Sequence, residues 1–218
     1  MIFTVDKTQF EKAITPVSVV AQNKAAESSS NGIYIEAKND TLILYCYDIE
    51  KGIKTTVEAN VEKEGKIIAD LQIVPIIHSL PAGDVTIEID DNYIIKITAG
   101  DADFQILGRS AESYPELPSI KGFSNFKIAR KQLRAIIAKT MFAVSTDDSK
   151  PILKGSLFEI NNGNLNVCAI DGFRISVRSE KSSAENNDLN VSFIMPGKAQ
   201  QNLLRIIDDS EEDVICEL

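Results

Sequence analysis

One histidine, three cysteines and no glycine-rich nucleotide loop leave this 218-residue sequence with little equipment for chemistry. His78 has no second histidine or ordered cysteine pair with which to share a metal, so no metal site of familiar spacing can be assembled. It reads as a polar helix position. Cys46, Cys168 and Cys216 sit in apolar, strand-like runs without C-x-x-C spacing, the setting of buried free thiols rather than of disulfides or zinc ligands. Neither G-x-G-x-x-G, G-x-x-x-x-G-K-[ST] nor G-x-S-x-G occurs, which removes the dinucleotide, P-loop and hydrolase-elbow readings and implies no cofactor. No apolar run approaches the ~20 residues of a membrane span. The opening Met1-Ile2-Phe3-Thr4-Val5-Asp6 lacks the basic and apolar regions of a secretion signal. A cytoplasmic protein without a membrane partner is expected. Apolar content of 44% with 25% charged residues is that of a folded globular chain, which argues against disorder.

What the sequence does contain is a long internal repeat. An offset of 123 residues carries Phe3-Thr4-Val5 onto Phe126-Lys127-Ile128, Gly32 onto Gly155, Tyr34-Ile35-Glu36 onto Leu157-Phe158-Glu159, and Asp48 onto Asp171. A period this long exceeds the ~20–50 residues of a solenoid unit, so each copy is a complete domain. After a small shift, Ile68 to Leu80 falls on Met195 to Ile207, and Val85-Thr86-Ile87 on Val214-Ile215-Cys216. The first copy continues through Tyr93–Ile97 and Phe104–Leu107, for which the second has no counterpart before Leu218. The expected organisation is a first domain over 1–123, with 110–123 as linker, and a second over 124–218 that is truncated before its last strands.

Phe10, Ala13, Ile14 and Val17 follow helical spacing, as do Leu133, Ile136, Ile137 and Met141 in the second copy. A second helix is predicted around Ile73, Ile76, Ile77 and Leu80, and again around Ala199, Leu203, Ile206 and Ile207. Pro16 and Pro75 are expected to kink or shorten the first pair. Between the helices lie alternating runs such as Gly32–Glu36, Thr41–Cys46, Val85–Ile89 and Tyr93–Ile97, with Asp90-Asp91-Asn92 as a hairpin connection. The fold class is α+β: tandem domains, each with two amphipathic helices on antiparallel sheet.

Two sets of polar residues could carry function. Asp48 and Asp171 each end an apolar strand and could form an acid/base pair, but their matching places in the repeat are more simply those of a turn or cap serving the shared fold. The net charge is −9, yet segments 130–144 and 197–207 hold Arg130, Lys131, Arg134, Lys139, Lys198 and Arg205 with no acid. Solvated helix faces and a surface for nucleic acid are both compatible with that pattern.

The order of Pro151-Ile152-Leu153-Lys154-Gly155-Ser156-Leu157-Phe158-Glu159, Ala169-Ile170-Asp171-Gly172-Phe173-Arg174-Ile175 and Ile194-Met195-Pro196-Gly197-Lys198 resembles the bacterial sliding-clamp family, the beta subunit of DNA polymerase III. Met1–Val5, Tyr47-Asp48-Ile49-Glu50 and Tyr114-Pro115-Glu116-Leu117-Pro118 agree with it, so the likeness spans the whole chain. The resemblance implies a DNA-clamp fold and a non-catalytic processivity factor. In that family three such domains per chain close head to tail as a homodimer ring around duplex DNA, helices inward. It assigns phosphate contacts of no sequence specificity to Lys24, Arg130, Lys131, Arg134, Lys139, Lys198 and Arg205. It also implies an apolar pocket for linear peptides of the DNA polymerase III catalytic subunit, the clamp loader and repair polymerases, at Leu153, Ile170, Gly172, Phe173, Arg174 and Ile175. Here Ile170-Asp171-Gly172-Phe173-Arg174-Ile175 replaces the family's usual Thr-Asp-Gly-His-Arg-Leu, a more apolar wall. Phe104 and Ile106 match the dimer seam, or are core residues. A polar run, Ala25–Asn31, replaces the family's usual Pro-Ile-Leu before Gly32. With the third domain absent, this chain alone is expected not to close a ring. Two other readings remain open: an enzyme using Asp48 and Asp171, and a clamp-like module that binds peptides without encircling DNA.

Overall fold

The computed structural model describes residues 1–21, 32–48, 51–118, 122, 124–184 and 189–218. The chain divides into two compact units, Met1–Pro118 and Ser119–Leu218. The first runs β1 (Ile2–Asp6), α1 (Lys7–Ala21), β2 (Ile33–Lys38), β3 (Thr41–Tyr47), β4 (Gly52–Glu58), β5 (Asn60–Lys63), β6 (Gly65–Ala69), α2 (Ile73–Ser79), β7 (Asp84–Ile89), β8 (Ile94–Ala99) and β9 (Ala102–Leu107). The second runs β10 (Asn125–Ala129), α3 (Arg130–Thr140), β11 (Gly155–Asn161), β12 (Asn164–Ile170), β13 (Ile175–Lys181), β14 (Ser183–Ala184), β15 (Val191–Pro196), α4 (Gly197–Ile206) and β16 (Asp213–Glu217).

Strands that read as one antiparallel set divide into two sheets per unit. The first unit has the orders β5-β1-β7-β8-β9 and β4-β3-β2-β6; the second has β14-β10-β16 and β13-β12-β11-β15. The pairings coincide for every strand the second unit has, while β8 and β9 of the first have no counterpart among the described residues. Phe3 faces Ile87 as Phe126 faces Cys216, and Thr41 faces Glu58 as Asn164 faces Lys181. One expected register is corrected. Tyr34 pairs with Ile68, and its counterpart Leu157 pairs with Ile194, so Ile68 corresponds to Ile194 and not to Met195. A one-residue slip exchanges the faces of a strand. The observed pairing keeps Ile67 and Ala69, like Phe193 and Met195, packed inward on their cores.

Helices α1 and α3 bury most of the stripe that their spacing foretold, whereas α2 buries Ile73 and Ile77 and the expected α4 stripe of Ala199, Leu203, Ile206 and Ile207 is only half-buried. Phe10, Ala13, Ile14, Val17 and Val20 of α1 are buried, and Phe3 meets Phe10 edge to face with ring centroids 6.3 Å apart. In the second unit Leu133, Ile136 and Ile137 pack with Phe126, Phe158, Ile160, Leu165 and Val167, and Phe158 stacks on Phe193 at 5.3 Å. Pro16 does not shorten α1, which continues to Ala21; the apolar stripe on both sides of the proline holds the helix in place. Pro75 lies in the first turn of α2, where a missing N–H leaves no internal bond unmade.

The segment read as linker is packed over its first half. Ala111 and Tyr114 are buried, and with Leu117 they cover Tyr34, Tyr45 and Ile68 on the outer face of β2, β3 and β6. Of the three free cysteines Cys46 is buried, whereas Cys168 and Cys216 are half-buried. No helix among the described residues is long and apolar enough to cross a membrane.

Candidate functional site

The basic residues of the second unit lie on two neighbouring helices with different surroundings. Arg130, Lys131 and Arg134 occupy the first turns of α3, whose start has no side-chain cap. The turn that follows α4 supplies one instead: the N–H groups of Arg130 and Lys131 donate to the carbonyls of Glu212 and Ser210 at 2.9 and 3.0 Å. That turn carries Asp208, Asp209, Glu211 and Glu212, whose carboxylates reach the same three cations. Arg130 Nη1 lies 3.1 Å from both Asp208 and Glu212, Lys131 Nζ 2.8 Å from Glu211, and Arg134 Nε 3.1 Å from Asp209. Arg134 Nη1 also donates to the carbonyls of Leu204 and Ile207, the latter at 3.0 Å, and so closes the C-terminal end of α4. The hydrogen bond from Lys131 to Glu211 raises the lysine pKa, and hydrogen bonds from Ser210, with Arg130 nearby, lower that of Asp208. Lys139, Lys198 and Arg205 are exposed and enter no ion pair among the described residues. Lys24 lies outside the described residues.

Five of the six residues of the expected peptide wall, Ile170 and Gly172 to Ile175, lie on the β12–β13 hairpin of the second unit. Ile170 and Ile175 face each other across the β12–β13 pair, and Gly172 turns the chain between them at φ +95°. Asp171 organises that turn. Its Oδ1 accepts the N–H groups of Phe173 and Arg174 at 3.0 and 3.1 Å, and its Oδ2 accepts Arg174 Nε at 2.8 Å. Those bonds hold its carboxyl below the usual carboxylate range. The Arg174 guanidinium lies over the Phe142 ring, 5.5 Å from its centroid. Phe173 is fully exposed, and Ile175, Ile170, Phe142 and Ile152 are exposed too. Leu153 is half-buried on the 3-10 turn Pro151–Lys154, where its carbonyl accepts the Ser145 N–H at 2.9 Å. Phe142 and Ile152 were not singled out by the sequence reading. Apolar side chains this exposed make the hairpin a candidate docking surface.

Asp48 repeats the role of Asp171. It accepts the Lys51 N–H at 2.9 Å and pairs with the Lys51 ammonium, and its own N–H donates to the Lys51 carbonyl. Each aspartate therefore shapes the hairpin of its own unit, which accounts for both without acid/base work. No group of histidine, cysteine and carboxylate side chains arranged to hold a metal occurs among the described residues. His78 bridges the helices of the first unit, with Nδ1 3.0 Å from Glu11 and Nε2 3.1 Å from Thr15. Ile106 is buried in the core, leaving Phe104 and Leu107 as the exposed apolar side chains of the edge strand β9.

A duplicated unit of two helices on paired antiparallel sheets, with basic helices and an apolar hairpin corner, defines a protein of the DNA-clamp fold. Residues 1–118 match the DNA polymerase III beta subunit, N-terminal domain, and residues 127–218 the central domain of the same subunit. The chain belongs to the DNA polymerase III beta subunit family. It is 30% identical over 224 residues to a beta sliding clamp of Halalkalibacterium halodurans, covering 97% of this chain and 58% of that protein. The structure is similar to a putative DNA polymerase III beta subunit from Eubacterium rectale, with TM-score 0.93 and 28% identity, and to a DNA polymerase sliding clamp from Bacillus subtilis, with TM-score 0.92 and 27% identity. Each likeness covers 100% of this chain and 60% of the other. The chain thus spans less than two thirds of the length of these relatives.

Proposed function

We propose that this chain provides the N-terminal and central domains of a sliding clamp, the processivity factor of a replicative DNA polymerase. The observation that carries the reading is the pair of clamp units in tandem, each matched in order to the corresponding domain of the family. The units are read as a clamp N-terminal domain over 1–123 and a central domain from 124. In this reading a third domain completes each subunit, and two subunits form a homodimer ring in the cytoplasm. The ring surrounds duplex DNA through phosphate contacts without base readout, because cations on helix surfaces attract the backbone equally at every sequence. The assigned cations are Lys24, Arg130, Lys131, Arg134, Lys139, Lys198 and Arg205. The protein has no catalytic role; it tethers the polymerase III catalytic subunit, the clamp loader and repair polymerases.

The tether is a linear peptide held at Leu153, Ile170, Gly172, Phe173, Arg174 and Ile175. An apolar peptide side chain would cover the exposed Ile170, Phe173 and Ile175, while Arg174, steadied by Asp171 and Phe142, would meet a polar group. The dimer seam is assigned to β9, where Phe104 and Ile106, two positions apart, share one face of the sheet, Phe104 exposed and Ile106 buried.

Two measurements test this. Light scattering on the protein encoded by the gene should give a dimer that retains primed circular DNA after loading, and a monomer that never retains it would sink the ring. Leu153→Ala and Arg174→Ala should each weaken binding of a fluorescent polymerase-tail peptide by about tenfold, given ~1–2 kcal/mol for a buried anchor or charged contact. Unchanged dissociation constants would remove those residues from the site. A second reading, a clamp-like peptide module that does not encircle DNA, is favoured by the internal pairing of Arg130, Lys131 and Arg134. Retention of peptide binding without retention on circular DNA would establish it.

A further inference from the structure

We propose that the acidic turn 208–212 is a built-in competitor for DNA phosphates, holding Arg130, Lys131 and Arg134 in intramolecular ion pairs so that the phosphate contacts of this unit fall on Lys139, Lys198 and Arg205. This inference rests on the DNA-clamp reading and deepens it.

Geometry supports it in three ways. The turn cannot drift from the helix, because its Ser210 and Glu212 carbonyls are bound by the first N–H groups of α3. It stands at the positive end of the α3 dipole, where carboxylates are favoured and where an approaching phosphate would otherwise be drawn. Its four carboxylates serve three cations in a one-to-one or better match, with every nitrogen–oxygen distance between 2.8 and 3.1 Å. The acidic partners are themselves exposed, from 60% to 77%. Such pairs are weak, so a phosphate can replace a carboxylate without a large barrier. The consequence is graded: the turn lowers affinity and salt dependence without removing the cations from the surface. Loose, sequence-independent contact is what a sliding protein needs.

The test is a mutant cycle on the protein as encoded by its gene, read by fluorescence anisotropy with a fluorescein-labelled random-sequence duplex at about 50 to 200 mM salt. The first variant neutralises the turn (Asp208→Asn, Asp209→Asn, Glu211→Gln, Glu212→Gln). The second neutralises two cations (Arg130→Gln, Lys131→Gln), leaving Arg134 because it also closes α4. The third combines both. A control removes four exposed acids of the other unit (Glu58→Gln, Glu62→Gln, Glu88→Gln, Asp101→Asn), which measures the effect of net charge alone.

The turn variant should bind at least tenfold more tightly than the control, with a salt slope steeper by about three for the three liberated cations. Removing Arg130 and Lys131 should cost less than about twofold in the native background and about tenfold or more once the turn is neutral, since only there do they meet phosphate. Equal losses in the two backgrounds, or a turn variant no tighter than the control, would overturn the inference and leave the clamp reading intact. If the quadruple variant unfolds, Glu211→Gln with Glu212→Gln serves the same cycle. Absence of duplex binding by every folded variant at the lowest salt would overturn both. Loss of binding in Lys198→Gln with Arg205→Gln alone would uphold the DNA reading independently.

Discussion

The hydroxyl of Tyr114 donates to the carbonyl of Gly32 at 3.0 Å, tying the end of the first unit to the start of its second strand. The same oxygen accepts the Tyr47 N–H at 3.4 Å, and the ring lies against Tyr34 and Tyr45 with centroids 5.7 and 5.4 Å away. Burial pushes the phenol pKa up, so the group stays a neutral donor across the physiological range.

Tyr114→Phe keeps the ring and removes both bonds, leaving a buried carbonyl without its partner. A loss of about 1–3 kcal/mol is expected in urea unfolding followed by tyrosine fluorescence or circular dichroism. Tyr114→Ala also empties the space under the strap and should cost about 3–5 kcal/mol. Equal stability of the native protein and Tyr114→Phe would show that the strap is held by its apolar contacts alone.

Gly32 and Gly155 recur because two strands pass too close for a side chain. A Cβ on Gly155 would stand 2.6 Å from the Met195 carbonyl oxygen, and one on Gly32 would stand 2.7 Å from that of Ala69. Gly32 also has φ +121°, whereas Gly155 has an ordinary extended φ of −138°. Gly155→Ala therefore isolates the steric cost, about 2 kcal/mol or ~10 °C in that unit by calorimetry. Gly32→Ala adds backbone strain and should be worse. A Gly155→Ala transition that coincides with the native one would mean that β11 and β15 separate without cost.

Ser156 and Gln200 form a buried polar pair joining β11 to α4. Gln200 Nε2 donates to Ser156 Oγ at 3.0 Å and to the Met195 carbonyl at 2.8 Å, while Ser156 Oγ donates back to Gln200 Oε1 at 3.2 Å. Gln200→Leu strands the serine hydroxyl and should cost about 1–3 kcal/mol. The double change with Ser156→Ala should recover part of that loss, because the orphaned hydroxyl is gone. Additive losses in denaturant titrations would contradict the pairing.

Alkaline pH should loosen the second unit. Burial pushes the Cys216 thiol up to about 11 from its ordinary 9.0. Between those values the unfolded chain has released a proton that the folded chain retains, so stability is full below pH 9 and falls as pH rises toward 11. Urea midpoints measured between pH 8 and 11 should decline for the native protein and less steeply for Cys216→Val. Parallel declines would assign the effect to other groups, among them Tyr34 and Tyr114, which burial also shifts upward.

The repeat, the two helices of each copy and the hairpins at Asp90, Asp48 and Asp171 were legible in the amino-acid order. Periodicity is local, and so are turn residues: Asp90 Oδ1 accepts the Asn92 and Ile94 N–H groups within one hairpin. The equivalence of Ile68 was misread by one residue because apolar strands tolerate a slip in sequence but not in pairing.

The sequence by itself determined that the chain folds as two related α+β units, placed basic residues on their helices and left little chemistry beyond binding. Only the tertiary structure decided which of those charges are held in ion pairs. The run Asp208-Asp209-Ser210-Glu211-Glu212 is plainly acidic, yet nothing local says that it closes onto Arg130, Lys131 and Arg134, some 70 or more positions earlier. Phe142 under Arg174 and Tyr114 on Gly32 are contacts of the same kind. Secondary structure follows from the spacing of neighbours along the chain, whereas the surroundings of a charge are set by whatever distant segment packs beside it.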